Sequence, residues 1–505
     1  MRQFQLYILM SLALAVAMPA QAQDSAFDQY RKQKQAQFDK YHQKKQADFE
    51  NYRETKRKQF EEYRKRKNAA FAEYLGQRWE QMPVQDATPA PFQKPQPQEQ
   101  PVAPKKDPAQ APLEVTPQEV VTPKAPEVVK PIEVPEPEER ETVRRQDVNF
   151  FGNRCQIAMD TKLRISLKNI QEAEVARVWQ RLSADDYMPM FDDFARLNIE
   201  MNLNGWATFQ LAKAIGEQLQ GKGTNEAAVV ATYLMTQLGY DMRLMRVGNR
   251  LIPMSPATAD VCRYLHLDMD GKTFYIWEEL PTNISVECYK QNVAEATRPI
   301  DFTDAQAMKL QGGRSETKHF ASLINSNAAA EVSVRKSLME YYNTVPLIAD
   351  WAVYAAQPME REVSRQLKPQ LEAAIQGLGQ WEATRVLLQF VQTAFKYGHD
   401  EDLFGRERPL FKEEPFFYPV CDCEDRAILF SDLVHTLVGL DVVLLHYPNH
   451  LCTAVRFTEA AKGDYVKVDG QIYYICDPTY TNADCGTCMK EYVGVNPKVH
   501  KIVYD

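Results

Sequence analysis

The sequence predicts an α+β fold: a helix bearing a cysteine packs on an antiparallel sheet. A diverged duplicate of that unit precedes it, with a long helix and a proline-rich linker further upstream. Three observations predict this. A helical apolar stripe opens at Cys423, short alternating strands with turn signals follow it, and an aromatic repeat and a proline tract lie far upstream.

The first segment has the pattern of a cleaved secretory signal, assigned to 1–22. Arg2 supplies the positive start, Leu6 to Met18 is an apolar run of 13 residues, and Ala20-Gln21-Ala22 puts small side chains where a signal peptidase reads. The mature chain is expected to begin near Gln23 and to be exported, periplasmic or secreted. No cysteine follows the cleavage site, so no lipid anchor is indicated. The apolar run is too short to span a membrane, and no other run reaches the roughly 18 residues needed. The nine cysteines suit an exported protein without proving disulfides. A formal charge of −8 gives no reason to expect a nucleic-acid partner.

Residues 24–82 carry an eleven-residue repeat. Phe27, Phe38, Phe49, Phe60 and Phe71 recur at that period, and Tyr30, Tyr41, Tyr52, Tyr63 and Tyr74 follow each by three. Eleven residues make three turns at 3.67 each, so the aromatic stripe barely drifts. The pattern predicts one helix over 25–81, roughly 85 Å long at 1.5 Å per residue. Its aromatic face suits self-association or a partner helix, the alternative being a solvated spacer. Residues 83–147 form the linker. Fifteen of the thirty prolines fall between Pro83 and Arg140, where there is no glycine, which predicts an extended, semi-rigid spacer.

The chemistry concentrates in 381–505. Trp381 to Tyr397 reads as an amphipathic helix, and a polar and aromatic loop runs from His399 to Pro419. Cys423, Ala427, Phe430, Val434 and Leu437 then form one stripe at steps of four and three. Cys423 thus lies in the first turn, where N–H groups and the helix dipole favour the thiolate and are expected to lower its pKa. Strands are predicted over Asp441 to Tyr447 and His450 to Phe457. Tyr465 to Val468 and Ile472 to Cys476 form a hairpin about Asp469-Gly470. His450 opens a strand, and Asp477 follows the last one. An antiparallel sheet on the cysteine helix brings Cys423, His450 and Asp477 together as nucleophile, base and orienting acid. His446 is a rival histidine inside a strand. Cys485-Gly-Thr-Cys488 has half the spacing of a zinc site but no second half, so a local disulfide or free thiols fit it better.

These motifs, Cys423-Glu-Asp-Arg-Ala, His450 with its strand, and Tyr-Tyr-Ile-Cys-Asp477-Pro-Thr, resemble the transglutaminase-like superfamily in its bacterial form. The order matches, with 27 residues from each member to the next. The resemblance implies a papain-like α+β domain over 381–505, acyl-transfer chemistry on a protein or peptide amide, and a catalytic triad of Cys423, His450 and Asp477. No cofactor or metal is required. Where the superfamily usually has Gly-x-Cys, this chain has Cys421-Asp-Cys423, and the second thiol offers a route to control by oxidation.

Residues 148–300 read as a degenerate copy. Gly239-Tyr-Asp matches Gly439-Leu-Asp, and Asp270-Gly-Lys-Thr-Phe-Tyr-Ile-Trp-Glu278 matches Asp469 to Asp477. In that register Gly223 falls opposite Cys423, Arg250 nearest His450, and Glu278 opposite Asp477. The copy lacks nucleophile and base, which suits a buttress or a substrate-binding partner. Residues 301–380 read as a helical connector, best over Ser333 to Trp351 and Met359 to Ile375. The function expected is therefore an exported cysteine acyl-transfer enzyme, with hydrolysis and transfer to an amine both open. The alternative is a non-catalytic envelope scaffold assembled through the N-terminal helix.

Overall fold

The structure, a computed structural model, describes residues 58–59, 61–91, 99–104, 111–122, 143–304 and 306–504. The signal segment and the repeats from Phe27 to Phe60 lie outside the described residues. The chain divides into two compact units, 1–66 and 67–505. The described part of the first is helical.

In the second unit the helix ends at residue 75 rather than continuing to Gln81. Gly76 begins a turn, and Glu80–Met82 is already a strand, β1. The last aromatic pair of the repeat is not displayed for a partner. Phe71 is buried with its ring 5.1 Å from Trp179 and 5.8 Å from Tyr289. The Tyr74 hydroxyl accepts from the N–H groups of Lys290 and Gln291. Burying Phe71 contributes roughly 2 kcal/mol.

The architecture is mixed α+β with curled antiparallel sheets. A hairpin of β4 (Arg145–Phe150) and β5 (Asn153–Ala158) opens the globular part, three residues earlier than the expected boundary. Helices α1 (Glu172–Leu182), α2 (Met188–Glu200), α3 (Gly205–Gln220) and α4 (Asn225–Gln237) follow. Next come β6 (Arg243–Val247), β7 (Arg250–Pro256), β8 (His266–Met269), β9 (Lys272–Ile276) and β10 (Val286–Cys288), in sheet order β1-β10-β6-β7-β9-β8.

The connector is only partly helical. It holds a hairpin of β11 (Lys318–Ala321) and β12 (Ala329–Val332), then α5 (Lys336–Tyr342), α6 (Trp351–Ala356) and α7 (Arg361–Ile375). The single helix expected over Ser333 to Trp351 is broken between Asn343 and Asp350, where Pro346 removes a donor and Asp350 caps α6 instead.

The C-terminal part is α8 (Gln380–Ala394), α9 (Cys423–Val438), β13 (Asp441–Tyr447), β14 (His450–Arg456), β15 (Tyr465–Val468), β16 (Gln471–Cys476) and β17 (Lys498–Lys501). Gly439 ends α9 in the left-handed conformation, and Asp469-Gly470 makes the expected two-residue turn with both φ positive. The sheet order is β2-β15-β16-β14-β13-β17-β3, where β2 is Glu114–Val115 and β3 is Glu119–Val121.

Those last two strands come from the linker, and they correct the expectation of a free spacer. Pairing two or three residues at a time on a sheet edge needs few N–H donors, so proline-rich chain can do it. Laid flat, seven strands at about 4.8 Å span roughly 29 Å, whereas the four peptide steps from Val115 to Glu119 reach about 14 Å. The sheet must therefore curl until its edges β15 and β17 approach, and the linker seals the seam. Val115 is buried in the resulting interior with Leu445, Val466 and Val499. The first sheet is treated alike: β1 lies on β10, and three residues later Gln85 bridges His266 on β8.

Candidate active site

The site is built where the start of α9 meets the start of β14. Asp422 caps the helix, and Asp425 reaches back to the Asp422 N–H at 3.0 Å, completing a capping box. Arg426, fully buried, donates to the carbonyls of Gln392 (3.2 Å) and Phe395 (2.9 Å) at the C-terminal end of α8. A cation there complements the helix dipole and pins α9 to α8. The Cys-Glu-Asp-Arg run is thus largely a device for fixing the first turn of the cysteine helix.

His450 and Asp477 meet as expected: His450 Nε2 donates to Asp477 Oδ2 at 2.8 Å, and both residues are 2% exposed. The other carboxylate oxygen accepts from the N–H groups of Thr479 (2.9 Å) and Tyr480 (3.2 Å). Gln392 staples this loop from α8, its Nε2 donating to the carbonyls of Asp477, Tyr480 and Ala483. The commitment of Nε2 to the carboxylate leaves Nδ1 for proton exchange. Tyr492 lies parallel to the imidazole, 5.3 Å between ring centroids and 6° between planes.

Cys423 arrives at the same place with its thiol turned aside. Its Sγ accepts from the N–H of Leu451, the residue after His450, at 3.4 Å, and it donates to Glu424 Oε2 at 3.1 Å. The expectation of a lowered pKa is overturned. Burial pushes the thiol well up, and the carboxylates of Glu424 and Asp422 add to it. The Leu451 N–H opposes them more weakly. In this closed form the thiol is neutral. Burial also holds the hydroxyls of Tyr397 and Tyr492 protonated, and each lies within electrostatic reach of Cys423.

The stretch from His399 to Val420, expected from its extra length to border the site, brings Asp400 and Glu407 to the acids of the first turn of α9. Burial, reinforced by neighbouring carboxylates, raises Asp400 and Asp422 well above the usual range, Glu407 to about 11 and Asp425 to about 8. Oxygens of Asp400, Glu407 and Glu424 lie within 4.8 Å of one another, as do those of Asp400, Asp422 and Asp425. Either set is compact enough for one divalent cation, which would have to displace those protons. His446 is a packing residue, edge-on to Trp351 at 4.4 Å, and burial lowers its pKa to about 3. Cys485 and Cys488 face different cores, so neither a local disulfide nor a zinc half-site forms from that pair.

The first sheet carries a parallel constellation. Its strands β10-β6-β7-β9-β8 run in the same order as β17-β13-β14-β16-β15. Arg250 opens β7 as His450 opens β14, and it pairs with Glu278 through both nitrogens, one contact at 2.6 Å. Asn225, first residue of α4, accepts from the Leu251 N–H at 2.8 Å, as Cys423 does from Leu451. By this hydrogen bond Asn225, two positions beyond Gly223, stands to β7 as Cys423 stands to β14. The stretch from Asn225 to Gly239 is two residues shorter than that from Cys423 to Gly439, because α4 has 13 residues and α9 has 16, and this shifted the register read from sequence.

Compared with family models, curated proteins and solved structures, the chain matches none. Among the described residues no helix is long and apolar enough to cross a membrane.

Proposed function

We propose that this chain is an exported, cysteine-dependent acyl-transfer enzyme of transglutaminase-like kind, acting on amide bonds of a protein or peptide. One observation carries the reading: a buried imidazole–carboxylate pair at 2.8 Å stands beside a thiol held at the N-terminus of a helix. In the reaction Cys423 Sγ attacks the amide carbonyl. Its proton passes to His450 Nδ1, a C–S bond forms, and the C–N bond breaks as the imidazolium protonates the leaving amine. Water or an amine then takes the acyl group. Asp477 holds the imidazole in the required tautomer, and the Cys423 N–H at the open helix end faces the oxyanion. The thiol must first leave Glu424.

The unit around β6 to β10 is read as a diverged duplicate in which Asn225, Arg250 and Glu278 replace the triad. Equal strand order and the equivalent hydrogen bond to Leu251 support this. An Arg–Glu ion pair cannot shuttle a proton at neutral pH, so this copy serves as a buttress.

The test is acetylation of the full chain by 4-nitrophenyl acetate, which releases 4-nitrophenolate, read by peptide mass mapping. A 42 Da adduct on Cys423 that disappears in His450→Ala is expected. No adduct, or equal labelling in that variant, leaves the non-catalytic scaffold as the better reading.

A further inference from the structure

A second pair of thiols stands directly behind the triad acid. Cys476 ends β16 immediately before Asp477, and Cys485 lies at the far end of the loop that Asp477 begins. Both are buried in the same core, at 0% and 1% exposure, whereas Cys488 packs in the interior of the curled sheet. The backbone clasps the two segments one residue from each cysteine: the Gly486 N–H donates to the Ile475 carbonyl at 2.6 Å. The chain reverses between those points, so residues 476 and 485 face each other across the closed end of the loop. Burial pushes the Cys485 thiol well up, and the neighbouring Cys476 thiol adds to the shift. Close backbone approach holds this end together. A Cβ on Gly486 would stand 2.7 Å from the Lys462 carbonyl and 2.8 Å from Gly463 Cα.

We propose that Cys476 and Cys485 form a disulfide, closing a ten-residue ring that contains Asp477 and fixes the exit of its loop. The two thiols lose two protons and two electrons to a disulfide oxidant, either the oxidising system of an exported compartment or oxidised glutathione, which is reduced to two thiols. One S–S bond forms in the chain and one breaks in the oxidant. Because both sulfurs are covered in the folded chain, the exchange takes place during folding. The bond itself stands apart from the acyl-transfer reading; only its value for holding Asp477 rests on that reading.

The full chain is refolded in a glutathione redox buffer, alkylated under denaturing conditions and digested. The expected map shows a peptide pair joined through Cys476 and Cys485, two hydrogens lighter than the sum, and seven alkylated cysteines of the nine. Nine alkylated cysteines, or a link between Cys452 and Cys488 instead, overturns the proposal. A phosphine reductant should lower the melting temperature of the wild type by several degrees and leave Cys485→Ser unchanged. An equal response in both proteins also overturns it. Failure of the acyl-transfer reading would appear in the His450→Ala labelling and would not alter this map.

Discussion

Asp477→Asn isolates what the carboxylate does. In the wild type one oxygen accepts from His450 Nε2 at 2.8 Å and the other accepts two N–H groups, from Thr479 and Tyr480. An amide has one oxygen and one NH2 in their place. Turned toward the loop, its oxygen keeps two hydrogen bonds and its NH2 faces the imidazole. Turned the other way, it keeps one and sets its NH2 against two buried N–H donors. The first arrangement wins, because each buried donor left unpaired costs about 1–3 kcal/mol. The variant then loses a charge-assisted bond and gains a neutral one, so unfolding free energy falls by roughly 2 kcal/mol. The larger effect is on the proton. With a donor opposite Nε2 the imidazole must carry its hydrogen on Nδ1, the nitrogen that accepts from the thiol in the proposed reaction. A tautomer error of this kind costs about four orders of magnitude in serine hydrolases, and a comparable loss in Cys423 acylation is expected. Nitrogen-15 spectra of histidine-labelled protein, with eight histidines to assign, read the tautomer directly. An unchanged Nε2–H tautomer in the variant, or wild-type acylation, refutes the reasoning.

Three further outcomes follow from the same packing. Burial pushes Glu413 from its ordinary 4.5 up to about 7, so its retained proton stabilises the fold fully below pH 4.5 and that contribution is lost as pH rises to 7. The 2.5-unit difference amounts to roughly 3 kcal/mol; the stability gap between wild type and Glu413→Gln, from urea unfolding, should shrink by that much across the interval, and parallel curves would contradict it. Glu424→Gln removes a carboxylate that holds the thiol neutral, so Cys423 should react roughly tenfold faster with a small aromatic disulfide at pH 8, with Cys155 and Cys262 as unaffected controls. Val115→Asp places a charge in the interior that β2 seals; limited proteolysis should then cut within 111–122 at least tenfold faster, and an unchanged rate would show that the strap is not held by this residue.

The elements of the C-terminal part were legible because each carries a local signal. The stripe at steps of four and three marks α9, alternation marks β13 and β14, and Asp469-Gly470 marks the hairpin. The His450–Asp477 contact followed from those elements and their order. What escaped were features made by distant chain. Two or three linker residues laid on a sheet edge leave no periodicity, so β2 and β3 read as part of a spacer. The thiol's raised pKa escaped for a related reason. Position at a helix N-terminus argues for a thiolate, but Glu424 and Asp422 stand beside the sulfur, Asp400 and Glu407 crowd behind them, and nothing in a single helix reveals that burial. Asn225 was missed because α4 is shorter than α9, which displaces by two residues a register that only the shared hydrogen bond to the second residue of a strand restores.

The closed thiol and the linker straps belong to one physical picture. Glu424 holds the Cys423 hydrogen while the surrounding acids keep their own protons, and each such proton is stable only as long as water is kept out of the lobe. Water exclusion in turn depends on the sheet keeping its curl, because the start of β14 and the loop after β16 form one wall of the site. The linker contributes on both counts. Beyond sealing the seam with β2 and β3, it runs alongside the acid's own loop: Ala103 N–H donates to the Thr481 carbonyl at 2.7 Å, and Gln100 Nε2 donates to the carbonyls of Gln392 and Thr479. Gln392 holds the Asp477 carbonyl from the other side. A force on the proline-rich chain is thus transmitted through two hydrogen-bonded layers to the carboxylate that orients His450. Chain that composition alone marks as a spacer is, in the folded protein, one of the supports of the His450–Asp477 pair.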